Sequence, residues 1–111
     1  MVSFTRGEIV LFPFPYTDLT NRKLRPCLVI SEEMEEDIIL CQITSKNISK
    51  DIYSVELKKN ETINGSLMIN SYIRSNMIFT ATKKQIVKKL CSINKEKYNE
   101  VVFVIRKIII K

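Results

Sequence analysis

The sequence contains no histidine and only two glycines, Gly7 and Gly65. Without histidine, the chain cannot use a histidine general base, a histidine-containing metal site or a Ser-His-Asp triad. Two isolated glycines cannot form a P-loop or a dinucleotide-binding fingerprint, because both motifs need several glycines close together. These absences exclude histidine-based hydrolases and the common nucleotide-binding motifs.

The sequence also has no long apolar run, and its cysteines are odd in number. No stretch approaches the roughly 18 apolar residues that are needed to span a bilayer, so we expect no membrane segment. The N-terminus lacks the charged and apolar regions of a signal peptide. The cysteines Cys27, Cys41 and Cys91 are odd in number, far apart and each among apolar residues. We therefore expect reduced core thiols in a cytoplasmic protein.

The 111 residues suffice for a single domain, which we place over residues 1–111. The net charge of +6 is unevenly distributed along the chain. Residues 1–57 carry 6 basic and 9 acidic residues, whereas residues 58–111 carry 12 basic and 3 acidic residues. A strongly basic half favours a polyanionic partner such as nucleic acid, although a lysine-rich solvated surface gives the same composition.

Short apolar segments separated by turn-rich segments dominate most of the chain. Residues 16–24 are polar and predict a loop, the acidic residues 32–37 predict a hairpin turn, and residues 83–87 predict a short helical turn. The predicted strands span residues 7–14, 27–31, 38–44, 51–57, 66–74, 77–82 and 88–93, the fifth and sixth being one kinked strand or two short ones. This pattern predicts a mainly β fold, a small and partly open β-barrel.

The C-terminal segment changes to a helical period. Asn94 is a good N-cap and Glu96 lies in the favourable first turn. The apolar residues that recur at helical spacing are Tyr98, Val101, Val102, Ile105, Ile108 and Ile109. We therefore predict an amphipathic C-terminal helix. Phe103, Val104 and Ile110 fall outside this stripe and either widen it or lie at a dimer contact.

Arg25 is the most specific candidate for a functional residue. It ends the predicted loop and enters a buried strand, and Pro26 favours an extended conformation for it. A planar guanidinium with five hydrogen-bond donors, held in a fixed place, is well suited to bind a phosphate. Pairing with a carboxylate of the acidic turn is an equally good interpretation of this arginine.

Two hydroxyls and a lysine, Thr44, Ser45 and Lys46, follow the third predicted strand. Hydroxyls at a strand end donate to phosphate oxygens or cap a turn. If the second and third strands pair through the acidic turn, the start of one meets the end of the other. Arg25 and Thr44 would then be neighbours, which is the arrangement expected of a site.

Aromatic and basic residues recur near these positions. Tyr72 and Arg74 are two residues apart, and therefore lie on the same face of a strand. Such a pair can stack a base and bind a phosphate, or can simply occupy the surface of the strand. Tyr16 and Phe14 flank the first loop as further stacking candidates, although Phe14 fits the core better.

Four segments occur in a characteristic order and spacing, namely GEIVLFPFPYTD at 7–18, LRPCLVI at 24–30, ITS at 43–45 and SYIR at 71–74. Together they resemble the MazF/PemK family of toxin endoribonucleases over nearly the whole chain, and the opening segment looks most like the PemK-like branch. The resemblance implies a small SH3-like barrel of the MazF/CcdB type with a C-terminal helix, which forms a homodimer.

The same resemblance implies the toxin of a type II toxin–antitoxin system, which a cognate antitoxin covers. It implies cleavage of single-stranded RNA by attack of the 2′-hydroxyl, without metal or other cofactor. The family's key arginine falls on Arg25, its threonine on Thr44 and its later strand arginine on Arg74. We therefore predict Arg25 and Thr44 as catalytic residues. The predicted substrate-binding residues are Tyr16, Asp18, Ser45, Lys46, Tyr72 and Arg74.

Two family positions differ in this chain. An acidic residue often precedes the later arginine by three positions in relatives, and here that position is Ser71. Some relatives use a histidine in the first loop, and Asp18 is the candidate to replace it. One contribution to catalysis needs neither group, namely stabilisation of the negative charge on the phosphoryl oxygens. Arg25 and Thr44 would supply it.

Two other functions fit a barrel of this type. One is a nucleic-acid-binding barrel without catalysis. The other is a gyrase-poisoning toxin that resembles CcdB and acts through protein contacts. The CcdB type depends on a C-terminal tail with a tryptophan, whereas this chain has no tryptophan and ends Ile110-Lys111.

Overall fold

Within residues 2–15 and 22–111, which the computed structural model describes, seven strands form one antiparallel sheet. The strands are β1 (Glu8–Pro15), β2 (Arg22–Val29), β3 (Asp37–Thr44), β4 (Ser54–Leu57), β5 (Thr62–Ile63), β6 (Ser71–Thr82) and β7 (Lys88–Ile93). Their spatial order is β4-β6-β3-β2-β1-β7-β5, and the sheet bends into a nearly closed barrel. Helix α1 (Lys95–Ile109) follows the last strand. The predicted mainly β barrel with a C-terminal helix is therefore confirmed.

The sheet buries apolar side chains on both of its faces, which explains why several strands are continuous apolar runs instead of alternating ones. The helix-side cluster consists of Ile9, Leu28, Cys41, Ile43, Val55, Leu57, Leu67, Ile73, Cys91, Ile93 and Val101. The opposite cluster consists of Phe4, Val10, Phe12, Cys27, Val29, Ile38, Leu40 and Ala81. Neighbours in sequence, such as Cys27 and Leu28, belong to different clusters because successive side chains of a strand point to opposite faces.

Three predicted strand boundaries are wrong. Strand β2 begins at Arg22, so Arg25 and Pro26 lie inside the strand and not at a loop–strand junction. Residues 51–53 form a turn ahead of β4, because the Asp51 carboxylate accepts a hydrogen bond from the Tyr53 N–H at 2.9 Å. Strand β6 is one continuous strand that begins only at Ser71, and the residues before it form a loop.

The predicted acidic turn is confirmed between β2 and β3. Glu35 adopts a left-handed conformation with φ of 61°. The carboxylates of the turn point to other parts of the chain. Glu32 pairs with Arg6 at 3.1 Å, and Glu33 pairs with Lys83 at 2.7 Å. The turn therefore joins the hairpin to the N-terminal segment and to the residues that follow β6.

Helix α1 begins as predicted, with the Asn94 side chain accepting a hydrogen bond from the Lys97 N–H at 2.8 Å. Val101 is fully buried, and the Tyr98 hydroxyl donates to the Ile30 carbonyl at 3.0 Å. The predicted buried stripe is wrong at its C-terminal end, because this end of the helix extends past the core. The exposed apolar residues there are Phe103, Ile108, Ile109 and Ile110.

The three cysteines are buried and carry free thiols, as predicted. Burial raises the pKa of the Cys27 and Cys41 thiols to about 12 each. These thiols stay protonated at neutral pH and act as small apolar side chains. In the described ranges, no helix has both the length and the apolar character to cross a membrane.

Candidate functional site

A cavity of about 300 Å³ opens at the end of the barrel where β2 begins and β3 ends. The described residues that line it are Lys23, Leu24, Arg25, Pro26, Ile43, Thr44, Ser45, Ser66, Leu67, Met68, Ile69, Ser71 and Leu90. This set contains two cations and four hydroxyls but no carboxylate. The described lining therefore carries a positive charge and has hydroxyl donors, which is the character expected of an anion-binding site.

The cavity exists because the ladder between β2 and β3 ends early. The last pair in this ladder is Cys27 with Gln42, and the next residue of β2, Pro26, has no N–H to donate. Beyond that pair, β2 remains bound to β1, and Thr44 at the end of β3 remains bound to Tyr72 of β6. The two strands therefore separate, and a space opens between them.

Arg25 and Thr44 lie on the two sides of this space. Each is two residues beyond the Cys27–Gln42 pair, Arg25 in β2 and Thr44 in β3, and both line the cavity. The predicted juxtaposition of these two residues is present in the structure. The acidic turn, which was the alternative partner for Arg25, lies at the other end of the β2–β3 hairpin.

The Thr44 hydroxyl oxygen accepts a hydrogen bond from the Lys46 N–H at 3.1 Å. This bond fixes the turn after β3, so the turn-capping interpretation of Thr44 is correct. It does not compete with binding, because a hydroxyl that accepts through its oxygen still has its own proton to donate. Ser45 also lines the cavity, whereas Lys46 is exposed beside it.

Tyr72 and Arg74 share one face of β6, as predicted, but they lie beside the cavity and do not line it. Tyr72 pairs with Glu56 of β4, and the Tyr72 hydroxyl is 3.5 Å from the Glu56 carboxylate. The Arg74 Nε atom is buried without a hydrogen-bond partner. The residue of this segment that reaches the cavity is Ser71, which is 3% exposed.

The sequence matches the family model of the PemK-like, MazF-like toxins of type II toxin–antitoxin systems over residues 5–109. The chain belongs to this toxin family. None of the curated proteins matches the sequence. Solved structures from Deinococcus and mycobacteria are among those that share the fold of this PemK-like chain at low sequence identity.

A chain of the MazE–MazF complex from Deinococcus radiodurans superposes with a TM-score of 0.78 at 14% identity, covering 96% of both chains. An endoribonuclease in complex with its cognate antitoxin, from a mycobacterial species, has a TM-score of 0.71 at 15% identity, covering 95% of this chain and 93% of that one. The toxin MazF-mt6 of Mycobacterium tuberculosis has a TM-score of 0.67 at 12% identity, covering 88% and 93%. These proteins and the PemK-like chain therefore have the same fold.

Two predicted site residues of the PemK-like chain, Tyr16 and Asp18, lie outside the described residues. Among the residues that the structure does describe, no group of three or more Cys, Asp or Glu side chains could hold a metal ion. The described part of the site thus consists of the cations and hydroxyls around Arg25 and Thr44.

Sequence reasoning missed one wall of the cavity, the loop over residues 66–70. We expected a strand there, but only Leu67 of its apolar residues is buried, while Met68 is 86% exposed and Ile69 is 56% exposed. The signal that points to a loop is Asn64-Gly65, a dipeptide that favours a turn. Both residues have positive φ angles, 56° and 130°.

Proposed function

We propose that this PemK-like chain is the toxin of a type II toxin–antitoxin system and cleaves single-stranded RNA without a metal ion. The observation that carries the proposal is the position of Arg25 and Thr44 on opposite sides of one cavity whose described lining is free of carboxylates. A phosphodiester in this cavity meets a guanidinium on one side and a hydroxyl on the other. The endoribonuclease named above is a structural relative that supports this assignment.

The proposed reaction is an in-line transesterification. The 2′-hydroxyl of one ribose gives its proton to solvent water and its oxygen attacks the adjacent phosphorus. The bond from phosphorus to the 5′-oxygen breaks and the leaving 5′-oxygen takes up a proton, so that a 2′,3′-cyclic phosphate and a 5′-hydroxyl result. Negative charge grows on the non-bridging oxygens and on the leaving 5′-oxygen. Arg25 stabilises this charge with several donors in one plane, and Thr44 donates a further hydrogen bond to a non-bridging oxygen.

The neighbouring nucleotides are proposed to follow the surface beside the cavity. Ser45 and Lys46 continue from Thr44 and offer a hydroxyl and a cation to the next phosphate. Tyr72 and Arg74 are in the adjacent strand and offer a stacking surface and a second guanidinium. Tyr16 and Asp18 remain proposed substrate-binding residues of the first loop.

We propose a homodimer and a cognate antitoxin as protein partners. The exposed apolar residues at the end of α1, such as Phe103 at 58% and Ile109 at 69%, favour burial against a second copy. The positive cavity favours an antitoxin that presents acidic side chains. Buried, unpaired thiols support a reducing compartment such as the cytoplasm. Sedimentation velocity tests the dimer, because Phe103→Glu should shift the protein towards monomer.

The proposed activity is tested with purified protein and a long single-stranded RNA in EDTA. We expect cuts at defined short motifs, with 2′,3′-cyclic phosphate and 5′-hydroxyl ends. RNA that is bound but intact would instead indicate a nucleic-acid-binding barrel. RNA that is neither bound nor cut, together with inhibition of gyrase supercoiling, would indicate a toxin of the CcdB type.

A further inference from the structure

Three large apolar side chains stand exposed on the rim of the cavity that contains Arg25 and Thr44. Leu24 is 46% exposed, Met68 is 86% exposed and Ile69 is 56% exposed. Leu24 comes from β2, whereas the other two come from the loop over residues 66–70. Apolar side chains gathered next to a polar, cationic site are characteristic of a surface that a ligand covers.

The loop that presents Met68 and Ile69 is fixed at several points. The Asn70 side chain accepts a hydrogen bond from the Lys59 N–H at 2.9 Å, and the Ser71 hydroxyl donates to the Ile69 carbonyl at 3.1 Å. Leu67, which precedes Met68 at the other end of this loop, is only 7% exposed and packs in the helix-side cluster. The exposed side chains are therefore held over the cavity by their own backbone, so little order is lost when a ligand binds.

We infer that Leu24, Met68 and Ile69 form the pocket for one nucleobase of the RNA, next to the phosphate that Arg25 and Thr44 hold. This inference rests on the proposed function. A nucleobase is flat and apolar on its faces, and a thioether makes favourable contacts with aromatic rings. The hydroxyls of Ser45 and Ser66 lie in the same lining and can donate to or accept from the edge of the base.

This arrangement separates two tasks within one cavity. Arg25 and Thr44 act on the phosphate, which is the same at every position of an RNA, and therefore set the rate of cleavage. The apolar rim and the hydroxyls contact the base, which differs between positions, and therefore determine where the RNA is cut. A cavity of about 300 Å³ is at the lower end of the usual range for ligand pockets and fits one base.

The test compares wild type, Met68→Ser and the control Met34→Ser on a single-stranded RNA with randomised positions, with cleavage ends mapped by sequencing. Met34 is also an exposed methionine, at 47%, but lies in the acidic turn. We expect Met68→Ser to relax the base preference at one position and to raise KM about fivefold or more, with kcat little changed. Met34→Ser should cut as wild type does. Met68 is exposed, so its replacement leaves the core intact.

Failure of this inference is distinguishable from failure of the proposed function. If wild type cuts the RNA and Met68→Ser keeps the same base preference and KM, the base pocket is wrong and the nuclease assignment stands. If wild type does not cut, the base preference of RNA binding is measured instead, by competition with oligo(A), oligo(C), oligo(G) and oligo(U). A base preference of wild type that Met68→Ser loses then supports the pocket, and an unchanged preference or none overturns it.

Discussion

Arg25 and Thr44 face each other across a gap that a proline creates. Both residues are two positions beyond the last pair of the β2–β3 ladder, Cys27 with Gln42, and both line the same cavity. Pro26 cannot donate a backbone hydrogen bond, so the strands separate beyond the Cys27–Gln42 pair, at the positions of these two residues. The backbone of Arg25 is also fixed, because β2 remains paired with β1 through Arg25 and Phe12.

Replacing Arg25 with alanine should reduce the rate of RNA cleavage by about 10²- to 10³-fold, since one preorganised donor to a developing oxyanion contributes that much. Arg25→Lys should recover only part of the rate, because an ammonium cannot form two parallel hydrogen bonds to a phosphate. Single-turnover cleavage of a defined RNA measures both effects. The matched control is Arg6→Ala, which removes an exposed ion pair with Glu32 and should leave the rate unchanged.

Thr44→Val should slow cleavage about 10- to 100-fold, because a hydrogen bond to a charged group contributes about 1.5–3 kcal/mol. Thr44→Ser keeps the hydroxyl and should stay close to wild type. The same rate constants and the free energy of unfolding should be measured for both variants, because Thr44 also accepts a hydrogen bond from the Lys46 N–H. A valine variant that cuts as fast as wild type would remove Thr44 from the mechanism.

Gly65→Ala should destabilise the protein more than Gly7→Ala. Both glycines have positive φ angles, 130° and 94°, so alanine is strained at either position, at a cost of about 1–3 kcal/mol. At Gly65 the new Cβ would also lie 2.2 Å from the Leu90 carbonyl oxygen, whereas at Gly7 the nearest atom is 3.7 Å away. Urea denaturation of the two variants measures the difference, and equal losses would contradict the steric explanation.

In the Glu33→Gln variant, the free energy of unfolding should fall less than in wild type as the pH is lowered into the acidic range. Hydrogen bonds from the Lys83 ammonium and from the Phe4 N–H lower the pKa of Glu33 below its ordinary value. A lowered folded-state pKa stabilises the protein at pH values above the ordinary value of about 4.3, and this contribution is lost as the pH falls through the folded-state pKa.

The difference in unfolding free energy between wild type and Glu33→Gln should therefore be largest at neutral pH and disappear at low pH. Denaturation curves measured between neutral and strongly acidic pH provide the test. Glu36→Gln is the control, since the Glu36–Lys84 pair is exposed and long, at 3.6 Å. A difference for Glu33→Gln that is constant across the pH range would contradict the role of its charge.

Local patterns predicted most of the fold. Continuous apolar runs predicted β1 and β3, and a capping asparagine with a helical period predicted α1 from Asn94 onwards. The predicted secondary structure is wrong at positions where tertiary contacts, and not the local sequence, determine the conformation. The polar residues that begin β2 are in a strand because β1 supplies their hydrogen bonds, whereas residues 66–70 are in a loop because Gly65 turns the chain and Leu67 anchors it.

The site was predictable in part, because hairpin pairing alone brings Arg25 near Thr44. In the sequence, Ser71 is only a departure from the family pattern, yet this residue lines the cavity. Met68 and Ile69 were missed entirely. Their importance depends on exposure, and a short apolar segment is equally compatible with a buried strand and with an exposed rim.

The sequence by itself determined which chemistry is possible. The absence of histidine excludes catalysis by an imidazole, and an arginine and a threonine at the ends of paired strands favour a phosphate site. The apolar patterns require a small β-rich core. Only the tertiary structure decided where β2 and β3 separate, and which side chains surround the resulting cavity. The physical reason is that strand separation and exposure depend on hydrogen bonds and packing between segments far apart in the chain, and local sequence does not encode either one.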